Sequence, residues 1–266
     1  MLFQMIILRS LLVTIVLCIT NMSFAANPEV AIVHAGTLLV TPGEEPVYER
    51  SIIIRNGVIG EVRRGFVEPE LITTTETIQV IDLRDSFVMA GMVDTHVHLT
   101  IDPSRSDLSA TTNSDLAVLA VANARTTLMS GVTTVRDLQS ANAEAIFAVR
   151  DAVATGMLAG PTIIAAGESV SATGGHGDRR MLRTDIAELL QTDAICDGAD
   201  DCTRAVRAQY RKGADVIKVH ATGGGADSNG KQYSVPEMTD AELRAVVETA
   251  HALGLKVAAH AHGTEG

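Results

Sequence analysis

The sequence predicts an α/β fold, a (β/α) barrel preceded by a small β domain, and three observations predict it. Between Val30 and Phe87 the chain reads as short β-branched and apolar runs separated by turns. After Ser86 strands alternate with helices, and five of the eight histidines fall at the C-terminal ends of the predicted strands. Alternating strand and helix units imply a parallel sheet, a pattern that a doubly wound sheet and a barrel satisfy equally. The polar residues favour the barrel, which gathers its strand ends at one mouth where active sites sit. An open sheet would spread them out.

Taken in order, residues 1–25 (MLFQMIILRSLLVTIVLCITNMSFA) carry one basic residue, Arg9, then an apolar stretch from Leu11 to Ile19, then small residues at Ser23 and Ala25. This pattern predicts a secretory signal cleaved after Ala25, because the apolar run is short for a membrane span. An uncleaved anchor is the alternative, and a lipoprotein at Cys18 is disfavoured by Leu17 before it. The mature protein is therefore expected to be secreted or periplasmic, with no stable membrane span.

Residues 26–87 form the expected β domain. Its strands are VAIVHAG, TLLV, SIIIR, VIGEV and TIQVIDL, and Asn56-Gly57 marks a hairpin between the third and fourth. Residues 88–266 form the expected barrel region. FVMAGMVDTHVH is read as its first strand, VTTVRDL as the second, PTIIAAG as the third, ADVIKVHATGG as the fourth and LKVAAHAHG as the fifth. SDLAVLAVANARTTLMSG, ANAEAIFAVRDAVATG and TRAVRAQYRKG carry helical periodicity, with Gly131 and Gly213 as stops. Thr239 and Glu242 make a capping box at the head of TDAELRAVVETAHALG.

Composition bounds the partners. A net charge of -11, 3 % aromatic residues and no Trp argue against nucleic acid, which needs basic grooves and stacking platforms. A small-molecule substrate, neutral or charged, suits this chain better. Export would allow Cys196 and Cys202 to bond, closing a short loop and stabilising by about 2 kcal/mol in the chain-entropy picture. Two free thiols near a helix start are the equal alternative.

The strand-end residues carry the chemistry. Side chains two apart on a strand share a face, so His96 and His98 point the same way, as do Lys218 and His220, and His260 and His262. Two imidazoles on one face can hold one metal ion. The loop ATGGG lacks the Gly-Lys-Ser/Thr ending and following helix of a phosphate cradle, which excludes a nucleotide site there.

IDLRDSFVMAGMVDTHVHL, GVTTVRDL, GGHGD, CDG, GADVIKVHATGGG and VAAHAHG resemble, in that order, the metal-dependent amidohydrolase superfamily. The likeness is closest to prolidase-like dipeptidases acting on Xaa-Pro or Xaa-Arg and to imidazolonepropionase-related hydrolases. It implies a (β/α)8 TIM barrel beside a small β-sandwich domain built from segments flanking the barrel. It also implies two divalent metal ions, usually zinc, held by His96, His98, Lys218 and His260, with Lys218 carboxylated on its N6 and bridging both ions. Manganese, iron or cobalt are chemically acceptable in the same donor set.

The chemistry is coherent with those residue types. A buried lysine loses its proton readily, and the neutral amine can take up carbon dioxide to become a bridging carboxylate. Two ions then share a hydroxide and polarise the substrate carbonyl, and amide hydrolysis follows. His176 in the glycine-rich loop after the third strand, Tyr233 after the fourth, and His262 are candidates for contact with substrate, and His262 could equally support a metal ligand. Arg179 or Arg180 could pair with a substrate carboxylate. His220 stands where the family commonly has an apolar residue, and His34 and His251 receive no role.

The chain ends at AHAHGTEG, after a fifth strand, where the resemblance implies three further strand and helix units bearing a histidine and an aspartate. The expectation is therefore a fragment with about five barrel strands and little or no activity by itself. The function expected of the parent is exported hydrolysis of an amide C–N bond in a dipeptide or N-acyl amino acid. The alternatives are a cyclic amidohydrolase of imidazolonepropionase type and a non-catalytic remnant.

Overall fold

The computed structural model describes residues 29–72, 74–75, 77–102, 111–179, 182–223 and 235–266. The predicted signal, Arg180 and Tyr233 lie outside the described residues. The chain divides into two compact units, residues 1–90 and 91–266. No described helix is long and apolar enough to cross a membrane.

The described residues of the first unit form one sheet of four strands, β1 (Val30–Leu39), β2 (Val47–Arg55), β3 (Val58–Arg64) and β4 (Ile78–Met89), in the order β3-β2-β1-β4. β1 runs antiparallel to β2 and parallel to β4. The two predicted runs VAIVHAG and TLLV are a single strand, joined through an irregularity between Ala35 and Thr37. Gly36 makes this join possible, because a Cβ there would meet the Arg84 carbonyl oxygen at 1.8 Å. Asn56 and Gly57 both take positive φ, 50° and 76°, and turn β2 into β3 as the hairpin signal required. Val30, Ile32 and Ile53 pack on one face of the sheet, and Val33, Ala35 and Ile52 on the other.

The second unit alternates strand and helix. β5 (Met92–Val97), β6 (Val132–Asp137) and β7 (Thr162–Ala165) form one parallel sheet, and β8 (Val216–His220) and β9 (Lys256–His260) another. A parallel bridge between Val170 and Val219 links the two, with Val170 N–H donating to the Lys218 carbonyl at 2.8 Å. The described strands thus run β5-β6-β7-β8-β9, an open parallel series and not a closed barrel. α1 (Asn113–Met129), α2 (Ala143–Ala154), α3 (Thr184–Leu189), α4 (Ala199–Lys212) and α5 (Asp240–Ala252) fall between them.

The first barrel strand is shorter than the sequence suggests. Phe87–Met89 belong to β4, and β5 begins only at Met92. Gly91 lies against Thr133, where a Cβ would come within 2.2 Å of Thr133 side-chain atoms, and Met92 N–H donates to the Gly131 carbonyl. That close approach breaks a run that looks continuous by composition.

Local chemistry fixes the helices. Thr239 accepts from Glu242 N–H, and the Glu242 carboxylate accepts from Thr239 N–H and, across to α4, from Gly198 N–H at 2.7 Å. Gly213 closes α4 in the left-handed region. The core beneath is aliphatic, with Ala120 and Ala124 of α1, Ile146 of α2, Val206 of α4 and Val246 of α5 packed over Val135, Ile217 and Val219. Because the described strands of this unit are parallel, their C-terminal ends lie on one side.

Candidate metal centre

β5 delivers the first pair. His96 is exposed and His98 half-buried, with ring centroids 5.2 Å apart. His98 Nδ1 meets the Gln139 carbonyl at 3.1 Å, so the N–H sits on Nδ1 and Nε2 is left as the electron-pair donor. Asp137 at the end of β6 holds the same turn, its Oδ2 accepting from Leu99 N–H at 2.6 Å. Asp137 is fully buried, its Oδ1 has no partner among the described residues, and burial raises its pKa to about 7. This residue was hidden in the motif GVTTVRDL, because the contact joins residues 38 apart in sequence.

β8 and β9 deliver a deeper group. Lys218 is 1 % exposed, and burial, followed by the charge of Arg136, lowers its pKa to about 8. Among the described residues no carboxylate pairs with it; its amine lies against His260 Nδ1. His220 is fully buried with neither ring nitrogen hydrogen-bonded among the described residues. Burial, then the neighbouring His176 and Lys218, push its pKa down to about 2, and the same causes, led by burial and Lys218, push His260 to about 3. Both imidazoles are neutral at pH 7. A buried polar group without a partner is unfavourable by about 1–3 kcal/mol, so His220 is a local cost to the fold.

His176 completes the cluster from the loop after β7. Its backbone N–H donates to Glu237 Oε2 at 2.7 Å, and its ring centroid is 4.8 Å from His220 and 5.3 Å from His260. His260 also lies 5.5 Å from His96 and 5.5 Å from His262, so four imidazoles, His96, His176, His220 and His262, surround His260. His262 is exposed beyond β9, its N–H donating to Thr222 Oγ1. Among the described residues, one nitrogen each of His176, His220 and His260 come within 4.8 Å of one another.

The sequence-predicted residues thus divide. His96, His98, Lys218 and His260 converge, and His176 and His262 adjoin them. Arg179 directs its Nε to the Leu190 carbonyl at 2.9 Å, while it also lines a cleft of about 420 Å³ together with His176, Leu116, Leu182 and Ile195. His220 packs against His176 and His260; the Lys-x-His alternation showed its face but not its burial among these rings. Cys196 and Cys202 are bonded, their Cα atoms 5.0 Å apart, which resolves the alternative left open by the sequence.

The donor set suits transition metals: imidazoles of lowered pKa, His98 with its tautomer fixed by Gln139, a lysine of lowered pKa and, in His220, buried nitrogens without partners among the described residues. The parallel βα units carry this set at their C-terminal strand ends, where the sites of α/β barrel enzymes sit. Residues 87–266 match the Amidohydrolase family, and the chain belongs to that family.

Its relatives are consistent with this. Ochratoxinase of Aspergillus niger is 29 % identical over 260 residues, which cover 90 % of this chain and 51 % of the relative. The crystal structure of a Xaa-Pro dipeptidase with methionine bound in the active site superposes with a TM-score of 0.77 at 33 % identity, over 89 % of this chain and 57 % of that one. The A. niger ochratoxinase crystal structure gives 0.73 at 26 %, over 90 % and 57 %. The chain spans about half the length of the curated relatives it matches.

Proposed function

We propose that the chain supplies the metal-binding strands of an exported amidohydrolase that cleaves the amide C–N bond of a dipeptide or N-acyl amino acid. The observation that carries this reading is Lys218, a buried lysine with no acidic partner among the described residues and a lowered pKa, set against His260. The Lys218 amine, once neutral, attacks carbon dioxide, releases a proton to solvent and becomes an N6-carboxylate with two oxygen donors. With His96, His98 and His260 that group would hold two divalent ions. Bound there, the ions supply a water of lowered pKa and polarise the scissile carbonyl.

The protein's own residues do the rest. Gln139 and Asp137 hold the His98 turn so that Nε2 faces the site. His176, at the rim of the cleft of about 420 Å³, positions the substrate, while Leu116, Leu182 and Ile195 take up an apolar side chain and exclude water from it. Tyr233 donates to the developing oxyanion, and His262 supports the second ion or the substrate. The dipeptide reading is supported by relatives whose crystal structures are a Xaa-Pro dipeptidase and a prolidase complexed with N-methylphosphonate-L-proline. The Cys196–Cys202 bond supports export, since such bonds persist in oxidising compartments.

The test supplies the full chain with zinc and 13C-bicarbonate. A carbamate carbon signal that disappears in Lys218→Ala, with metal content falling alongside, is the expected result. A panel of Xaa-Pro dipeptides, N-acyl amino acids and cyclic amides then ranks the substrate classes. Absence of the carbamate signal in the unaltered chain sinks the lysine-bridged reading.

A further inference from the structure

The lysine-bridged site leaves His220 with no task. Its ring is fully buried, neither nitrogen is hydrogen-bonded among the described residues, and it faces His176 and His260 at equal ring separations of 4.8 Å. The loop above has made room for it. A Cβ on Gly177 would meet His220 Nδ1 at 2.9 Å and Ser171 Cβ at 2.8 Å, so the glycine keeps the space beside that nitrogen open.

We propose that His176, His220 and His260 form a nitrogen-only site for one divalent transition-metal ion, zinc, cobalt or nickel in class, that fills without carboxylation of Lys218. Three donors come from three separate elements, the loop after β7, β8 and β9, and their nitrogens lie within 4.8 Å of one another. Donors at the corners of such a triangle lie at most about 2.8 Å from its centre, so movements below an ångström bring them to a zinc–nitrogen distance of about 2.0–2.1 Å. With no carboxylate in the set, calcium and magnesium, which want oxygen, are excluded. His260 belongs to both sites, which makes them alternatives: the ion rests on the three imidazoles when carbon dioxide is absent and is given up as Lys218 becomes carboxylated.

The experiment titrates cobalt(II) into the full chain, stripped of metal and held free of carbon dioxide at mildly alkaline pH. His96→Asn and His98→Asn are present in every sample, so that the β5 pair is silent. One equivalent with the intense visible bands of a tetrahedral nitrogen-rich site is expected. His220→Leu should weaken it by about tenfold or more, and Lys218→Met should leave it in place. Should His220→Leu fold poorly, His176→Gln on the loop is expected to give the same loss. Cobalt binding indifferent to His176→Gln and His220→Leu, or abolished by Lys218→Met, overturns the proposal. The carbamate signal in bicarbonate, which needs Lys218 and not His220, reports separately on the amidohydrolase reading.

Discussion

The two sides of the centre are built on opposite principles. At the ends of β5 and β6 the polar groups are held: His98 bonds to Gln139, Asp137 to Leu99 N–H, and Arg136 Nε donates to the Thr95 carbonyl at 2.9 Å. At the end of β8 Lys218 and His220 are sealed in, and the His220 ring has no hydrogen bond among the described residues. The first side is organised by the fold itself. The second carries desolvated donors whose burial is offset only when a ligand arrives.

Asp137 is where the first side departs from its own rule, and it gives the largest expected effect. Its folded pKa of about 7 lies above the ordinary 3.8, so between those values the folded chain keeps a proton that the unfolded chain has lost. Stability therefore falls as pH rises through that window, by up to about 1.4 kcal/mol per unit, and levels off above pH 7. Asn at this position keeps an acceptor for Leu99 N–H and cannot ionise. The advantage of Asp137→Asn over the unaltered metal-free chain should grow from about pH 4 to pH 7. His220 and His260, held neutral, cost stability as pH falls below 6.5 in both proteins and cancel in the difference. Urea midpoints across the range measure it; a constant difference would show that Asp137 is ionised without penalty.

Ligand linkage breaks the comparison from the other side. Zinc with bicarbonate at one hundred times the dissociation constant should stabilise the chain by about 2.7 kcal/mol. Thermal melts with and without bicarbonate should separate in the unaltered chain and coincide in Lys218→Ala. If bicarbonate leaves the unaltered chain unmoved, Lys218 is buried for some other reason. The disulfide supplies a control that contributes no donor, although Cys196 N–H donates to the Ser171 carbonyl beneath the loop after β7. Cys196→Ala paired with Cys202→Ala should lower stability by about 2 kcal/mol, read by denaturant titration, with zinc uptake unchanged; lost uptake would tie the loop after β7 to the centre more tightly than His176 alone implies.

What the sequence disclosed follows from the range of the interactions. The Asn56-Gly57 hairpin, the Thr239–Glu242 capping box and the alternation of strand and helix all rest on neighbours within a few residues, and all are found. The break between Met89 and Met92 rests on Gly91 meeting Thr133, and the role of Asp137 rests on a residue near His98; neither partner is visible in a local run. His220 is the intermediate case. Spacing placed it beside Lys218, but only the packing of the loop after β7, through Gly177, shows that it is sealed in among imidazoles.

The sharpest form of the comparison is a pair of substitutions expected to differ in sign. His98→Leu removes a ring whose Nδ1–H is hydrogen-bonded to Gln139, leaving that carbonyl short of a donor, and should destabilise the metal-free chain by about 1 kcal/mol. His220→Leu removes a ring that satisfies neither of its nitrogens among the described residues and replaces it with an aliphatic side chain of similar size. It should stabilise the metal-free chain by about 1–3 kcal/mol, the unfavourable burial that it relieves. Zinc should then reverse the order, since only the chain that retains His220 gains from the ion. Denaturant melts of the two variants, with and without zinc, decide the matter: if His220→Leu is destabilising in the absence of metal, the ring already has a partner in the fold, and the contrast between the two sides of the centre is one of depth alone.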